Sequence, residues 1–275
     1  MQPLVEHRLT LAGFDTRALE LEGDGPPLVL LHGWADSADT WRLVLDRLAR
    51  AGRRALALDM PGFGEAGPLG AGPVLPQLDS FLEAALEQAA PEGGAIVAGN
   101  SLGGCAALRA AQRPELELAG VVPVAPAGLD MARWFVLVER DPVVRVLLAS
   151  PLPVPGPVMR RAVSEVYKRL AFCHPSRIDP RVASTFASHM GSKAAAARVL
   201  GIGRRLLPEL RDPYELERIS CPVLLVWGRQ DLMVFQTGAE RVLDAAPEGR
   251  LELIEDCGHC PQLEAPERFT ELLAA

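Results

Sequence analysis

Three side chains in this 275-residue sequence are of the types needed for nucleophilic acyl chemistry: Ser101, Asp231 and His259. A serine hydroxyl is a poor nucleophile at neutral pH, so it needs an imidazole to take its proton and a carboxylate to hold that imidazole in one tautomer. Ser101 lies in Gly99-Asn100-Ser101-Leu102-Gly103, where small residues two positions either side permit the sharp strand-to-helix turn that lifts a hydroxyl above a sheet. Asp231 closes the loop Gly228-Arg229-Gln230-Asp231 after an apolar run, and His259 closes Glu255-Asp256-Cys257-Gly258-His259 after another. The order serine, aspartate, histidine is the one expected when the nucleophile sits on such a turn. Asp256 is the rival acid, ranked lower because it shares the histidine's own loop.

Such a reaction also needs two N–H donors for the oxyanion. Leu102, first residue of the helix after the serine, is one candidate. Trp34 is the other, in His32-Gly33-Trp34 after the apolar run Leu28-Val29-Leu30-Leu31.

The elements that must carry these residues follow from periodicity. Val5 to Leu11 and Thr16 to Leu21 alternate with a period of two and read as an edge hairpin turning at Ala12 to Asp15. Strands are then expected at Leu28 to Leu31, Ala55 to Leu58, Ala95 to Ala98, Leu118 to Val124, Pro222 to Trp227 and Leu251 to Ile254. Helices are expected at Thr40 to Arg50, Leu78 to Ala90, Leu102 to Gln112, Thr237 to Ala246 and Pro266 to Leu273. Alternation of this kind implies a parallel sheet with helices on both faces. From 128 to 212 no buried strand is expected, only helices, with Pro151 to Pro157 as a stiff connector whose alternate prolines suit neither helix nor central strand. The division is therefore a core of 1–127 and 213–275 interrupted by a helical cap of 128–212.

The net charge of −7 argues against nucleic acid as a partner, and no apolar run is long enough to cross a membrane. The start of the chain lacks the basic and apolar regions of a secretory leader, so a cytoplasmic, reducing setting is expected. Five cysteines at irregular spacing do not make a disulfide framework. Cys257 and Cys260 form a C-x-x-C, but no second pair supplies the remaining ligands of a structural zinc, so no metal is expected.

His32-Gly33-Trp34, Asp59-Met60-Pro61-Gly62-Phe63-Gly64, Gly99 to Gly104, Gly228 to Asp231 and Gly258-His259 stand in the order of the landmarks of the α/β-hydrolase family, which this chain resembles over nearly its whole length. The resemblance implies an α/β fold with a mostly parallel eight-stranded sheet, its second strand antiparallel, helices on both faces, a helical cap after the sixth strand and no cofactor. Serine at the turn, where dehalogenase and epoxide hydrolase relatives carry aspartate, leaves an ester or similar acyl bond as the default substrate.

Asn100, where many esterases of the family have histidine, is similar to the corresponding residue of hydrolases that cleave carbon-carbon bonds in dienoate ring-fission products. Those relatives usually carry tryptophan after the histidine, where this chain has Cys260, so the match is partial; Asn100 and Cys260 are candidate substrate contacts. The cap holds 14 basic against 7 acidic residues. Arg133, Arg140 and Arg177 are candidates to attract a substrate carboxylate, although cap arginines serve equally well to dock the cap on an acidic body. Trp134, Phe135, Val136, Tyr167, Phe172 and Met190 are candidate pocket liners. The expectation is a carboxylesterase-like serine hydrolase, monomeric or homodimeric, acting on a small, partly apolar molecule. A carbon-carbon bond hydrolase is the first alternative and a non-catalytic binding protein of the same fold the second.

Overall fold

A computed structural model of the chain describes residues 3–133, 154–246 and 248–274. Eight strands form one sheet: β1 (Leu4–Leu11), β2 (Phe14–Leu21), β3 (Asp24–Leu31), β4 (Arg53–Leu58), β5 (Ile96–Asn100), β6 (Gly120–Val124), β8 (Val223–Gly228) and β10 (Gly249–Ile254). Their spatial order is β1-β2-β4-β3-β5-β6-β8-β10. Strand β2 runs antiparallel to both its neighbours, and every pair from β4 to β10 is parallel. This is the α/β-hydrolase sheet with its reversed second strand.

The hairpin turn is tighter than its sequence implies. Ala12 and Gly13 both adopt positive φ, 49° and 83°, so two residues suffice to reverse the chain. Between 128 and 212 the one strand among the described residues is not a buried one, with Asp130 exposed and Met131 half-buried. Two residues, β7 (Asp130–Met131), pair antiparallel with β9 (Val234–Phe235), too short a ladder to leave a periodic signal.

Because side chains alternate along a strand, the apolar runs that looked continuous are split between two faces. Leu28 and Leu30 pack with Trp41 just before helix α1 (Arg42–Arg50), with Leu45 and Leu48 on that helix and with Phe269 on the C-terminal helix. Val29 and Leu31 face the other way, against Phe81 and Leu82 of α2 (Leu75–Ala89) and Leu108 of α3 (Leu102–Ala110). Burying both faces is what requires Val, Leu and Ala at consecutive positions.

After β6 the chain leaves the sheet for helices α4 (Gly156–Ala171), α5 (Pro180–Ser188) and α6 (Lys193–Glu209) before returning as β8. Helix α4 starts inside the expected proline connector, with Pro157 in its first turn. Proline is tolerated there because the first N–H groups of a helix have no intrahelical partner. Two cap arginines dock α6 on the body: Arg198 donates to the Gly62 carbonyl and Arg205 to those of Gly70 and Gly72. Glu209 accepts from Val74 N and Leu75 N at the start of α2. The chain closes with α7 (Ala239–Ala245), α8 (Pro261–Glu264) and α9 (Pro266–Ala274).

Candidate functional site

Ser101 stands between β5 and α3 with φ 55° and ψ −107°, a conformation that costs a non-glycine residue about 1–3 kcal/mol. The surroundings enforce it. Ser101 N donates to Val124 O at 2.8 Å, and its carbonyl accepts from Cys105 N and Ala127 N at 2.8 and 3.0 Å. The flanking glycines are needed for close approach: a Cβ on Gly99 would come within 2.2 Å of Gly103 O, and one on Gly103 within 2.3 Å of Leu31 O.

Asp231 lies just past the end of β8 and is almost wholly buried. Its Oδ1 accepts from Met233 N at 2.7 Å and Val234 N at 3.1 Å. Its Oδ2 accepts from His259 Nδ1 at 2.7 Å. That bond places the imidazole proton on Nδ1 and leaves Nε2, buried and without a hydrogen-bond partner among the described residues, as the basic atom. Asp256 is elsewhere: its side chain is 80 % exposed and lies 4.0 Å from His174 Nε2.

The loop after β3 passes directly over the serine. A Cβ on Gly33 would lie 3.4 Å from Asn100 Oδ1 and 3.5 Å from Ser101 Cβ. The loop is held from both ends. His32 donates from Nδ1 to Gly33 O at 2.7 Å and accepts at Nε2 from Met60 N at 2.8 Å, so both ring nitrogens are committed to one neutral tautomer. Complete burial lowers its pKa to about 4. At the other end Asp59 Oδ1 accepts from Ala38 N at 2.7 Å, with Arg17 Nε on Asp59 Oδ2 at 3.0 Å. Trp34 lies between these anchors. Leu102 opens α3, where the first amides of a helix have no intrahelical acceptor. Both candidate donors therefore sit on backbone whose course is fixed by its neighbours.

Asn100 and Cys260, read from sequence as candidate substrate contacts, are buried and joined to each other. Asn100 Nδ2 donates to His259 O at 2.8 Å, Cys260 Sγ is 3.9 Å from Asn100 Oδ1, and Tyr167 Oη of the cap is 3.6 Å from the same sulfur. Tyr167 stacks on Phe186 and meets Phe172 edge-on. With Phe172, Met190, Ala35 and Leu263 it forms an apolar cluster between cap and body. Cys257 is turned to different partners, the Gly258 carbonyl at 3.7 Å and Glu264 Oε1 at 3.8 Å. Arg133 and Arg177 are exposed. Trp134, Phe135, Val136 and Arg140 lie outside the described residues.

Two carboxylates near the site had no signal in the sequence. Asp36, two residues after Trp34, accepts from Ser37 N at 2.9 Å, and burial raises its pKa to about 7. Glu264, five residues after His259, accepts from Gly258 N and Cys173 N. An acid in an exposed loop and one in a short helix look alike in sequence. Only burial separates them.

These side chains stand beyond the carboxyl ends of parallel strands, where ligands of open α/β sheets bind, with a held carboxylate on one imidazole nitrogen and the other left basic. Known proteins are similar to this chain over most of its length. Over 261 residues the chain is 30 % identical to the pimeloyl-acyl-carrier-protein methyl ester esterase of Aeromonas hydrophila subsp. hydrophila, covering 93 % of this chain and 97 % of that protein. It is 26 % identical over 270 residues to the 2-hydroxy-6-oxo-6-(2'-aminophenyl)hexa-2,4-dienoic acid hydrolase of Metapseudomonas resinovorans, covering 96 % and 88 %. The crystal structure of a serine hydrolase involved in carbazole degradation (CarC enzyme) superimposes with a TM-score of 0.79 at 24 % identity, covering 99 % of this chain and 98 % of that one. The description Alpha/beta hydrolase family matches residues 28–272. With a match spanning the sheet from β3 to the C-terminal helix, this chain belongs to the alpha/beta hydrolase family.

Proposed function

We propose that the protein is a serine hydrolase of carboxylic esters that works through an acyl-enzyme on Ser101. The observation that carries this reading is the buried His259 ring, its Nδ1–H on Asp231 and its Nε2 unengaged. As Ser101 Oγ attacks the ester carbonyl carbon, His259 Nε2 takes the hydroxyl proton, and Asp231 stabilises the resulting imidazolium. The carbonyl oxygen becomes an oxyanion bound by the N–H groups of Leu102 and Trp34, each such donor being worth about 10²–10³-fold in kcat. Collapse of the intermediate breaks the bond to the alcohol, which leaves with the proton from His259. Water then adds to the acyl-enzyme, gives its proton to His259, and releases the acid as Ser101 regains its hydrogen.

The ester reading is supported by the methyl ester esterase among the relatives. Its test is turnover of p-nitrophenyl esters from acetate to decanoate beside a pimelate methyl ester, with fluorophosphonate labelling of Ser101. Labelling and turnover are expected in the parent and neither in Ser101→Ala. Turnover retained in Ser101→Ala would overturn the mechanism, and absence of labelling in the parent would favour a non-catalytic binding protein.

A second reading, hydrolysis of a carbon-carbon bond in a dienoate by the same three residues, is favoured by Asn100 before the serine and by the dienoic acid hydrolase among the relatives. A ring-fission dienoate turned over much faster than every ester in the panel would select it.

A further inference from the structure

The proposed reaction makes no use of Glu264, yet this carboxylate lies against the backbone next to the candidate base. Helix α8 is a single turn begun by Pro261, and that turn folds Glu264 back under the loop it follows. Its Oε1 accepts from Gly258 N at 2.7 Å, one residue before His259. Its Oε2 accepts from Cys173 N at 2.8 Å, two residues past the end of α4 in the cap. His259 N itself donates to Ala171 O, the last residue of α4, at 2.7 Å.

The loop has little freedom between these contacts. A Cβ on Gly258 would come within 2.6 Å of Ala171 O and 2.8 Å of Cys173 N, on the cap side. From the body side, a Cβ on Gly228 would come within 1.9 Å of Gly258 O. One strand of backbone is thus sandwiched between the end of β8 and the end of α4. The bond to Asp231 fixes the direction of the His259 ring, while where Nε2 stands relative to Ser101 depends on this sandwiched backbone.

We propose that Glu264 is a positioning residue for the reaction: by holding Gly258 and Cys173 on its two oxygens it makes the cap part of the frame that sets His259 over Ser101. The inference rests on the reading of Ser101, Asp231 and His259 given above. Its physical basis is the donor count. The backbone N–H groups of Gly258, Cys173 and His174 and the Cys257 thiol meet two acceptor oxygens, whereas a glutamine of the same size has one oxygen and an NH2 that would face an N–H. Burial pushes the Glu264 carboxyl up from its ordinary range, and the backbone donors pull against that rise. A misplacement of about 1 Å at a reacting group costs about 10²-fold in rate, so a loop displaced by a fraction of that loses about tenfold.

The test compares the parent with Glu264→Gln, Glu264→Asp and Ser101→Ala. The readouts are kcat and KM on p-nitrophenyl butyrate, the fluorophosphonate labelling rate, the melting temperature, and amide exchange in peptides spanning 171–175 and 255–261. For Glu264→Gln a kcat lower by about tenfold with KM within about twofold is expected, with labelling slowed by the same factor and faster exchange in both peptides. If Glu264→Gln does not fold, Glu264→Asp, whose shorter carboxylate reaches one donor at a time, gives the same measurement with the same expected direction. An unchanged kcat and labelling rate in a folded variant, or a rise in KM alone, would overturn the proposal. A silent Ser101→Ala beside a fully active Glu264 variant removes this inference only. Turnover in Ser101→Ala removes the reading on which it rests.

Discussion

Asn100 donates its side-chain Nδ2–H to the backbone carbonyl of His259 at 2.8 Å, so the residue before the serine and the residue of the candidate base are tied together across 159 positions of chain. Replacing it with alanine leaves that buried carbonyl without its donor. Asn100→Ala is expected to lower stability by about 1–3 kcal/mol and kcat on an ester by at least about tenfold. Thermal melting and steady-state kinetics on the same preparation check both.

Asp231 uses all three of its hydrogen bonds as an acceptor, to Met233 N, Val234 N and His259 Nδ1. Asparagine at this position must aim an NH2 at one of those donors and disfavours the tautomer with a basic Nε2. Asp231→Asn is expected to reduce kcat by about 10⁴-fold while the protein stays folded. Circular dichroism beside turnover and labelling rates tests it.

Asp36 and His32 oppose each other in their response to pH. Asp36 titrates at about 7 in the folded protein against 3.8 as a free side chain, so the unfolded chain releases that proton first and stability falls as pH rises through this window. His32 titrates at about 4 against 6.5, so the unfolded chain takes up a proton first and stability falls as pH drops from 6.5 towards 4. Between pH 4 and 6.5 the two largely cancel. Asp36→Asn keeps an acceptor for Ser37 N and removes one side of the balance. It is expected to be more stable than the parent at pH 8, by on the order of a few kcal/mol, and equal to it near pH 4. Melting temperatures across that range, with equal gains at both ends, would refute this.

Glu209 is the second carboxylate on the seam between cap and body, but it holds Val74 N and Leu75 N rather than the His259 loop. Glu209→Ala removes the acceptor at the start of α2, whose N-cap residue Val74 makes no side-chain hydrogen bond of its own. A loss of about 1–2 kcal/mol is expected, with kcat close to that of the parent. A kcat reduced as far as in Glu264→Gln would mean that any loosening of the cap slows the reaction.

What could be read before the structure followed from how local each signal is. The strand-to-helix turn at Gly99 to Gly103 is legible because the small residues, the serine and the helix start fall within five residues. The sheet is legible because strands buried on both faces leave apolar runs such as Leu28 to Leu31, and the loops of Asp231 and His259 follow two more. The start of α4 at Gly156 was hidden by Pro155 and Pro157, whose spacing suits an extended connector as well as a capped helix. Glu264 and Asn100 act on backbone amides and carbonyls, which every residue possesses. Pairing with them therefore leaves no mark on residue identity, and only the path of the chain shows it.

The last strand of the sheet has one more effect. Strand β10 lies at the sheet's edge, paired with β8 alone, and the His259 loop hangs from its end. Edges open at lower free energy than central strands. The site is thus suspended from an element that can fray while Trp41 and Trp227 stay buried on the two faces. In rising urea, turnover is expected to vanish before far-UV circular dichroism changes, so the working limit of this enzyme is set by its margin and not by its core.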